Sequence, residues 1–135
     1  MEAFRIEGGR ALAGSVVPKG AKNEALQVIC AVLLTAHPVR ISNLPRIHDV
    51  LRLIELLEFL GVRTTWHTTE SCTLDASRVD VSLLFTEEFR LRAGKMRGSV
   101  MLAGPLLGRF GEAFVPKPGG DKIGRRRLDT HLEGF

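Results

Sequence analysis

A lysine at a strand-to-helix junction is the first feature of this sequence that could do chemistry. Lys22 and Asn23 follow Gly20, and apolar residues at helical spacing begin directly after them. A glycine lets the backbone approach a ligand closely, and a helix start offers unpaired N–H groups to an anion. The helix dipole disfavours a cation at this position. The pattern therefore indicates either an anion-binding lysine or a solvated one.

Arg97 occupies a second position of this kind. It lies in residues 95–99, at the start of another apolar helical run. The planar guanidinium of arginine binds phosphate and carboxylate groups through two parallel hydrogen bonds. The alternative is an exposed charge with no ligand.

A third group of cations lies in the glycine-containing segment of residues 117–131. Five Lys or Arg residues fall between Lys117 and Arg127, and residues 119 and 120 are both glycine. A solvated loop or an RNA-contacting patch is the alternative to an anion site. Aromatic residues make up 6% of the chain and none lies between Phe114 and Phe135, which disfavours single-stranded nucleic acid. Taken together, the three cationic segments predict one convergent anion pocket.

The helices and strands that must position these residues are predicted from the spacing of apolar residues and from the glycine and proline residues that end them. We expect a hairpin over residues 4–17, helices over 21–34, 47–60 and 96–110, and strands at 39–41, 62–67, 71–74 and 112–115. Gly61 is placed to end the second helix in a left-handed conformation. Residues 86–88 are expected in a polar, acidic loop, and Pro105 is expected to kink or shorten its helix. A last helix begins near residue 123 and has nothing downstream to pack on, so we expect the chain to be a fragment.

Composition places the chain among ordinary folded proteins. Of its 135 residues, 44% are hydrophobic and 25% charged, and no apolar run approaches the roughly 18 to 20 residues of a membrane span. The N-terminus has no apolar core like that of a secretory signal, so we expect a cytoplasmic protein. Residues 90–135 hold 10 Lys and Arg against 4 Asp and Glu, which concentrates the net charge of +4 in that third. Cys30, within an apolar helical run, is expected to be a buried free thiol.

Several of these segments, in this order, resemble the UDP-N-acetylglucosamine 1-carboxyvinyltransferases, a family of enolpyruvyl transferases. The resemblance rests on Gly20-Ala21-Lys22-Asn23, on the segment from Met96 to Gly111, on the glycine loop at 118–124 and on Leu128-Asp129-Thr130-His131. It runs from Phe4 to Phe135 and corresponds to roughly the first third of a family member.

The resemblance implies an α/β (α+β) fold, an inside-out α/β barrel of repeated βαβαββ units with the active site between two domains. Only a partial first domain is expected here, comprising residues 20–135. Residues 1–19 form a strand pair that in the family belongs to the second domain. The fragment alone is expected to be inactive.

The implied reaction transfers the enolpyruvyl group of phosphoenolpyruvate to the 3′-hydroxyl of UDP-N-acetylglucosamine, releases phosphate, and needs neither a redox cofactor nor a metal. Phosphoenolpyruvate and the sugar nucleotide are the implied partners, with no nucleic acid and no membrane. By resemblance, Lys22 holds phosphoenolpyruvate, Asn23 contacts the sugar, and Arg97 and Arg126 clamp phosphate and carboxylate. The remaining implied substrate-binding residues, on the uridine side, are Arg127 (often proline in the family), Leu128 and Asp129.

Asp121 is a departure from the family pattern, which mostly has a cysteine that fosfomycin alkylates. A carboxyl group can still act as general acid and base at the methylene carbon of the enolpyruvyl group. We therefore expect transfer chemistry with insensitivity to fosfomycin. Alternatively, Asp121 caps the following helix. The shikimate-pathway enolpyruvyl transferase, which shares the fold, is the second candidate within this class. A non-catalytic module that binds anions or RNA is the candidate from another class.

Overall fold

Helical segments make up most of the structured chain in the computed structural model, which describes residues 3–117, 119 and 127–135. The α-helices are α1 (Lys22–Ala31), α2 (His48–Phe59), α3 (Glu87–Gly94), α4 (Ala103–Phe110) and α5 (Asp129–Gly134). Three 3-10 segments accompany them, at Val32–Leu34, Val81–Phe85 and Arg97–Leu102. Within the described residues, every helix is too short or too polar to span a lipid bilayer.

Three short strands form one antiparallel sheet. They are β1 (Val39–Ile41), β2 (Arg63–Thr68) and β3 (Ser71–Asp75), in the order β1-β3-β2. Val39 pairs with Leu74 across the first ladder, and Thr64 pairs with Leu74 across the second. The expected hairpin of residues 62–74 and the strand at 39–41 are therefore confirmed.

The core lies where α1 and α2 pack together and against the sheet. Their apolar positions recur at helical spacing, so each helix presents a continuous buried stripe. The largest fully buried side chains include Ile29, Leu33, Leu53, Leu57, Leu74 and Phe89. Cys30 belongs to the same core, and its burial raises the pKa of the thiol to about 12, as expected for an inert free cysteine.

Gly61 ends α2 as the sequence predicted. Its φ of 98° is left-handed, and its N–H donates to the carbonyl oxygen of Glu58 at 3.0 Å. A Cβ at this position would lie 2.4 Å from the carbonyl oxygen of Arg78, so the chain after β3 packs tightly on this turn. Glycine is therefore needed here both for the left-handed turn and for the close approach of the chain after β3.

Arg109 joins α4 to two other parts of the fold. Its guanidinium donates to the carbonyl oxygens of Leu33, Thr35 and Ala76 at 3.0, 2.8 and 3.0 Å. These carbonyls lie just after α1 and β3, so Arg109 ties α4 to both elements. Arg109 is thus a structural cation.

The expectation of a loop at residues 86–88 is wrong, because α3 begins there. The Thr86 hydroxyl oxygen accepts a hydrogen bond from the N–H of Phe89 at 3.2 Å, which caps the helix. Glu87 and Glu88 lie in its first turn, where the helix dipole favours acidic side chains. The acidic residues after Thr86 therefore mark the start of a helix.

Two further expectations are also wrong. Residues 112–115 form no strand, and residues 3–19 form no hairpin. Strands are stable when one face is buried, and the apolar side chains of the N-terminal segment have nothing to pack on. Phe4, Ile6 and Leu12 are 88–98% exposed. That residues 1–19 belong to a second domain stays a prediction.

The expected helix over residues 96–110 is two segments, the 3-10 segment Arg97–Leu102 followed by α4. Pro105 lies in the first turn of α4, where its missing N–H costs no helical hydrogen bond. The proline therefore shortens the α-helix, one of the two expected outcomes. Most of the segment at 118–126 lies outside the described residues.

Candidate functional site

A cavity of about 900 Å³ opens between two sets of residues. The first set, here called the near wall, is formed by the starts of α1 and α2 and by residues 95–104. The second, the far wall, is formed by residues 115–117 and 127–135. The cationic side chains that line the cavity are Lys22, Arg52, Lys95, Arg97, Lys117 and Arg127. An anionic ligand is the natural complement of such a lining.

Lys22 is positioned by a tight junction before α1. A Cβ at Gly20 would lie 1.9 Å from the carbonyl oxygen of Asn43, so only glycine fits there. Asn43 itself has a left-handed φ of 57°. The junction places Lys22 and Asn23 at the first two positions of α1, and both line the cavity.

Asp49, the second residue of α2, faces Lys22. The Lys22 ammonium Nζ donates to Asp49 Oδ2, and the two side chains are 48% and 43% exposed. That hydrogen bond is the main reason why the pKa of Asp49 is held below its usual value, and the positive charges of Lys22, His48 and Arg52 add to it. Partial burial opposes the shift. The near wall therefore carries an ionised carboxylate beside its lysine.

Arg97 is positioned by the end of α3. The buried hydroxyl of Ser99 lies 2.8 Å from the carbonyl oxygens of Ala93 and Met96, where it donates, and this ties the 3-10 segment to that helix end. A Cβ at Gly98 would meet Leu26 of α1 at 3.4 Å. Close packing between this segment and α1 brings Arg97 to the same cavity as Lys22.

The far wall contains an ion pair between two of its own residues. Arg127 Nε donates to Asp129 Oδ2 at 2.6 Å, and Arg127 and Leu128 line the cavity together with His131, Leu132 and Phe135. Asp129 is among the predicted binding residues. It forms an ion pair with Arg127, which lines the cavity, but it does not line the cavity itself. The far-wall helix α5 buries none of its residues.

Residue 119 shows how the glycine loop begins. A Cβ at Gly119 would lie 1.9 Å from the carbonyl oxygen of Gly94, at the end of α3. The backbone at Gly119 therefore lies directly against the end of α3. Asp121 and Arg126, two of the predicted site residues, lie outside the described residues.

The structure thus brings together Lys22, Asn23, Arg97, Arg127 and Leu128 around one cavity, as the convergent-pocket hypothesis requires. Their roles toward a substrate stay predictions. Sequence reasoning missed Asp49 and Arg52. Their spacing of three residues places them on one face of an amphipathic helix, but only the packing of α1 on α2 shows that this face meets Lys22.

The EPSP synthase (3-phosphoshikimate 1-carboxyvinyltransferase) family matches residues 6–135 of this sequence. The chain belongs to this family. Its relatives include the UDP-N-acetylglucosamine 1-carboxyvinyltransferases of Bacteroides fragilis and Porphyromonas gingivalis, each 51% identical over 135 residues. These alignments cover 100% of this chain and 31% of each relative. The chain therefore spans about a third of the length of the curated relatives it matches.

A solved structure supports the fold. The chain is similar to the enolpyruvyl transferase NikO from Streptomyces tendae, with a TM-score of 0.61 and 29% sequence identity. The match covers 78% of this chain and 24% of that one. The expected α/β class and the expected family are both confirmed.

Proposed function

We propose that the full-length protein transfers the enolpyruvyl group of phosphoenolpyruvate to the 3′-hydroxyl of UDP-N-acetylglucosamine and releases phosphate. The convergence of Lys22 and Arg97, from two separate helical starts, on one cationic cavity carries this proposal. Phosphoenolpyruvate bears a phosphate and a carboxylate, which two separated cations can hold at once. Relatives named for this reaction are 51% identical to the whole chain, which supports the sugar nucleotide as the acceptor.

The chemistry needs charge neutralisation and proton transfer. The 3′-hydroxyl oxygen bonds to C2 of the enolpyruvyl group and gives up its own proton to a general base, while the methylene carbon gains a proton. Loss of that proton then accompanies cleavage of the C–O bond to phosphate. Lys22 and Arg97, with Arg126 by resemblance, stabilise the negative charge of phosphoenolpyruvate and of the departing phosphate. Asp121 is proposed to supply and remove the proton.

The remaining machinery is proposed to lie in the rest of the full-length protein. The matched relatives are about three times as long as this chain, which supports an active site completed by further residues. We therefore propose that residues 1–19 pack on a second domain and that the 135 residues alone are inactive. The proposed cellular role is the first committed step of peptidoglycan synthesis, in the cytoplasm.

Phosphate release tests the acceptor. The full-length protein is incubated with phosphoenolpyruvate and either UDP-N-acetylglucosamine or shikimate 3-phosphate. Release that depends on the sugar nucleotide supports the proposal, whereas release that depends on shikimate 3-phosphate supports the second candidate, the enzyme for which the matching family is named. Salt-dependent binding of any polyanion, without release, would point to a non-catalytic module.

Fosfomycin tests the role of Asp121 separately. We expect phosphate release to continue in the presence of the drug, because a carboxylate is a much poorer trap for its epoxide than a thiolate. The Asp121→Cys variant is the matched control, and it should become sensitive. Potent inhibition of the natural protein with covalent labelling of the loop would contradict this expectation.

A further inference from the structure

One acidic residue stands among the cations of the cavity. Of the described residues that line it, Asp49 is the sole carboxylate, against six Lys and Arg side chains. It contacts Lys22, the lysine to which the proposed function gives phosphoenolpyruvate. A cavity built only to attract anions would gain nothing from a negative charge at this point, so the residue calls for an explanation.

Another anion can replace Asp49 as the partner of Lys22. Both side chains are about half exposed, and ion pairs of this kind contribute little net stability because water competes for each partner. An anion that reaches Lys22 therefore competes with Asp49 at small cost. Arg52, on the same face of α2, adds a second positive charge near the carboxylate. The pair can open without disturbing the buried stripe of the helix.

We propose that Asp49 is a resident counter-anion of Lys22, which an incoming phosphate group must displace. Its charge lowers the affinity of the cavity for inorganic phosphate. Because phosphate is a product of the proposed reaction, Asp49 then assists product release and keeps free phosphate from occupying the site. The link to product release rests on the proposed function, whereas the effect on phosphate affinity does not.

The size of the effect follows from Coulomb's law. A phosphate bound to Lys22 would lie within a few ångströms of the Asp49 carboxylate. With the dielectric constant of bulk water, one repulsive unit charge at about 6 Å weakens the binding of a singly or doubly charged phosphate by about three- to ten-fold. Removing that charge should tighten phosphate binding by the same factor, whereas a purely structural role for Asp49 would leave it unchanged or weaken it.

Calorimetric titration of inorganic phosphate into the full-length protein tests the proposal. Asp49→Asn and Asp49→Ser should both bind phosphate about three- to ten-fold more tightly than the natural protein, and Asp49→Glu should restore the natural affinity. Glu55→Gln is the matched control, since Glu55 is an exposed acid of the same helix outside the cavity lining. It should leave the affinity unchanged.

Equal or weaker phosphate binding by both neutral variants would overturn the proposal. So would an unchanged affinity in Lys22→Met, because the phosphate would then bind away from this pair. The titration needs neither sugar nucleotide nor turnover. Its outcome is therefore independent of the phosphate-release assay that tests the proposed function.

Discussion

The two walls of the cavity are built in different ways. The near wall rests on buried side chains of α1 and α2, including Leu53, which is 0% exposed. The far-wall helix α5 buries none of its residues and leaves Leu132 and Phe135 each 65% exposed, and the ion pair of Arg127 joins it only to Asp129 of the same wall. The near-wall cations thus stand on helices anchored in the hydrophobic core, whereas Arg127 stands beside a helix without buried residues. We infer that the near wall supplies the precise contacts of the reaction.

Replacing one cation in each wall should give the largest difference in activity between the two walls. In the full-length protein, Lys22→Met is expected to lower kcat/KM for phosphoenolpyruvate by about a hundred- to a thousand-fold, the usual effect of losing a preorganised charge contact. Arg127→Gln should lower it by about ten-fold or less, because the Arg127 side chain is 70% exposed and water screens its charge. Steady-state phosphate release measures both. Equal losses in the two variants would contradict the distinction between the walls.

Truncating one leucine in each wall tests the packing directly. Leu53→Ala creates a cavity in the core and should lower the free energy of unfolding by about 2 to 5 kcal/mol. Leu132→Ala removes an exposed side chain and should change it by about 0.5 kcal/mol or less. Urea unfolding followed by circular dichroism measures both. A loss above 2 kcal/mol for Leu132→Ala would show that α5 is packed more firmly than its exposure indicates.

The elements of the near wall could largely be predicted from the sequence. α1, α2 and the β2–β3 hairpin follow from local periodicity, and Gly61 marks the end of α2. Lys22 and Arg97 stood out because a cation at a helix start opposes the dipole. Asp49 gave no such signal, because an acidic residue in a first turn is what any helix favours. Only the packing of α1 on α2 shows that its carboxylate faces Lys22.

The errors of prediction concern segments whose structure depends on distant partners. Alternating residues at 4–17 indicate strands, but a strand needs another surface on which to bury its apolar face. Residues 112–115 failed as a strand for a different reason: Ala113 and Phe114 pack on the core, but no strand of the described residues pairs with this segment. The start of α3 was missed because acidic residues after a threonine are typical both of loops and of capped helices.

The smallest expected effect is the pH dependence of the near-wall ion pair. The pKa of Asp49 is lower in the folded than in the unfolded chain, so the pair stabilises the fold fully above the unfolded pKa of about 3.9. This contribution is lost as the pH falls through the lower folded value. Carbon-13 NMR titration of the Asp49 carboxyl should give a midpoint below the usual range, and Lys22→Met should raise it.

Asp75 is the internal control for this titration. Two hydrogen bonds from Ser77 lower the pKa of Asp75. The one from the side chain has the larger effect, and the one from the backbone the smaller. Lys22→Met should therefore leave the Asp75 midpoint where it is. An unchanged Asp49 midpoint in that variant would mean that Lys22 is not its main partner.

Product analysis is the most direct test of enolpyruvyl transfer. The full-length protein is mixed with phosphoenolpyruvate and UDP-N-acetylglucosamine, and the nucleotide fraction is examined by mass spectrometry alongside the phosphate released. We predict a sugar nucleotide that has gained one enolpyruvyl unit, formed in equal amount with phosphate and absent with Lys22→Met. Phosphate released without a modified sugar nucleotide, or no reaction of a folded full-length protein, would contradict the proposed transfer.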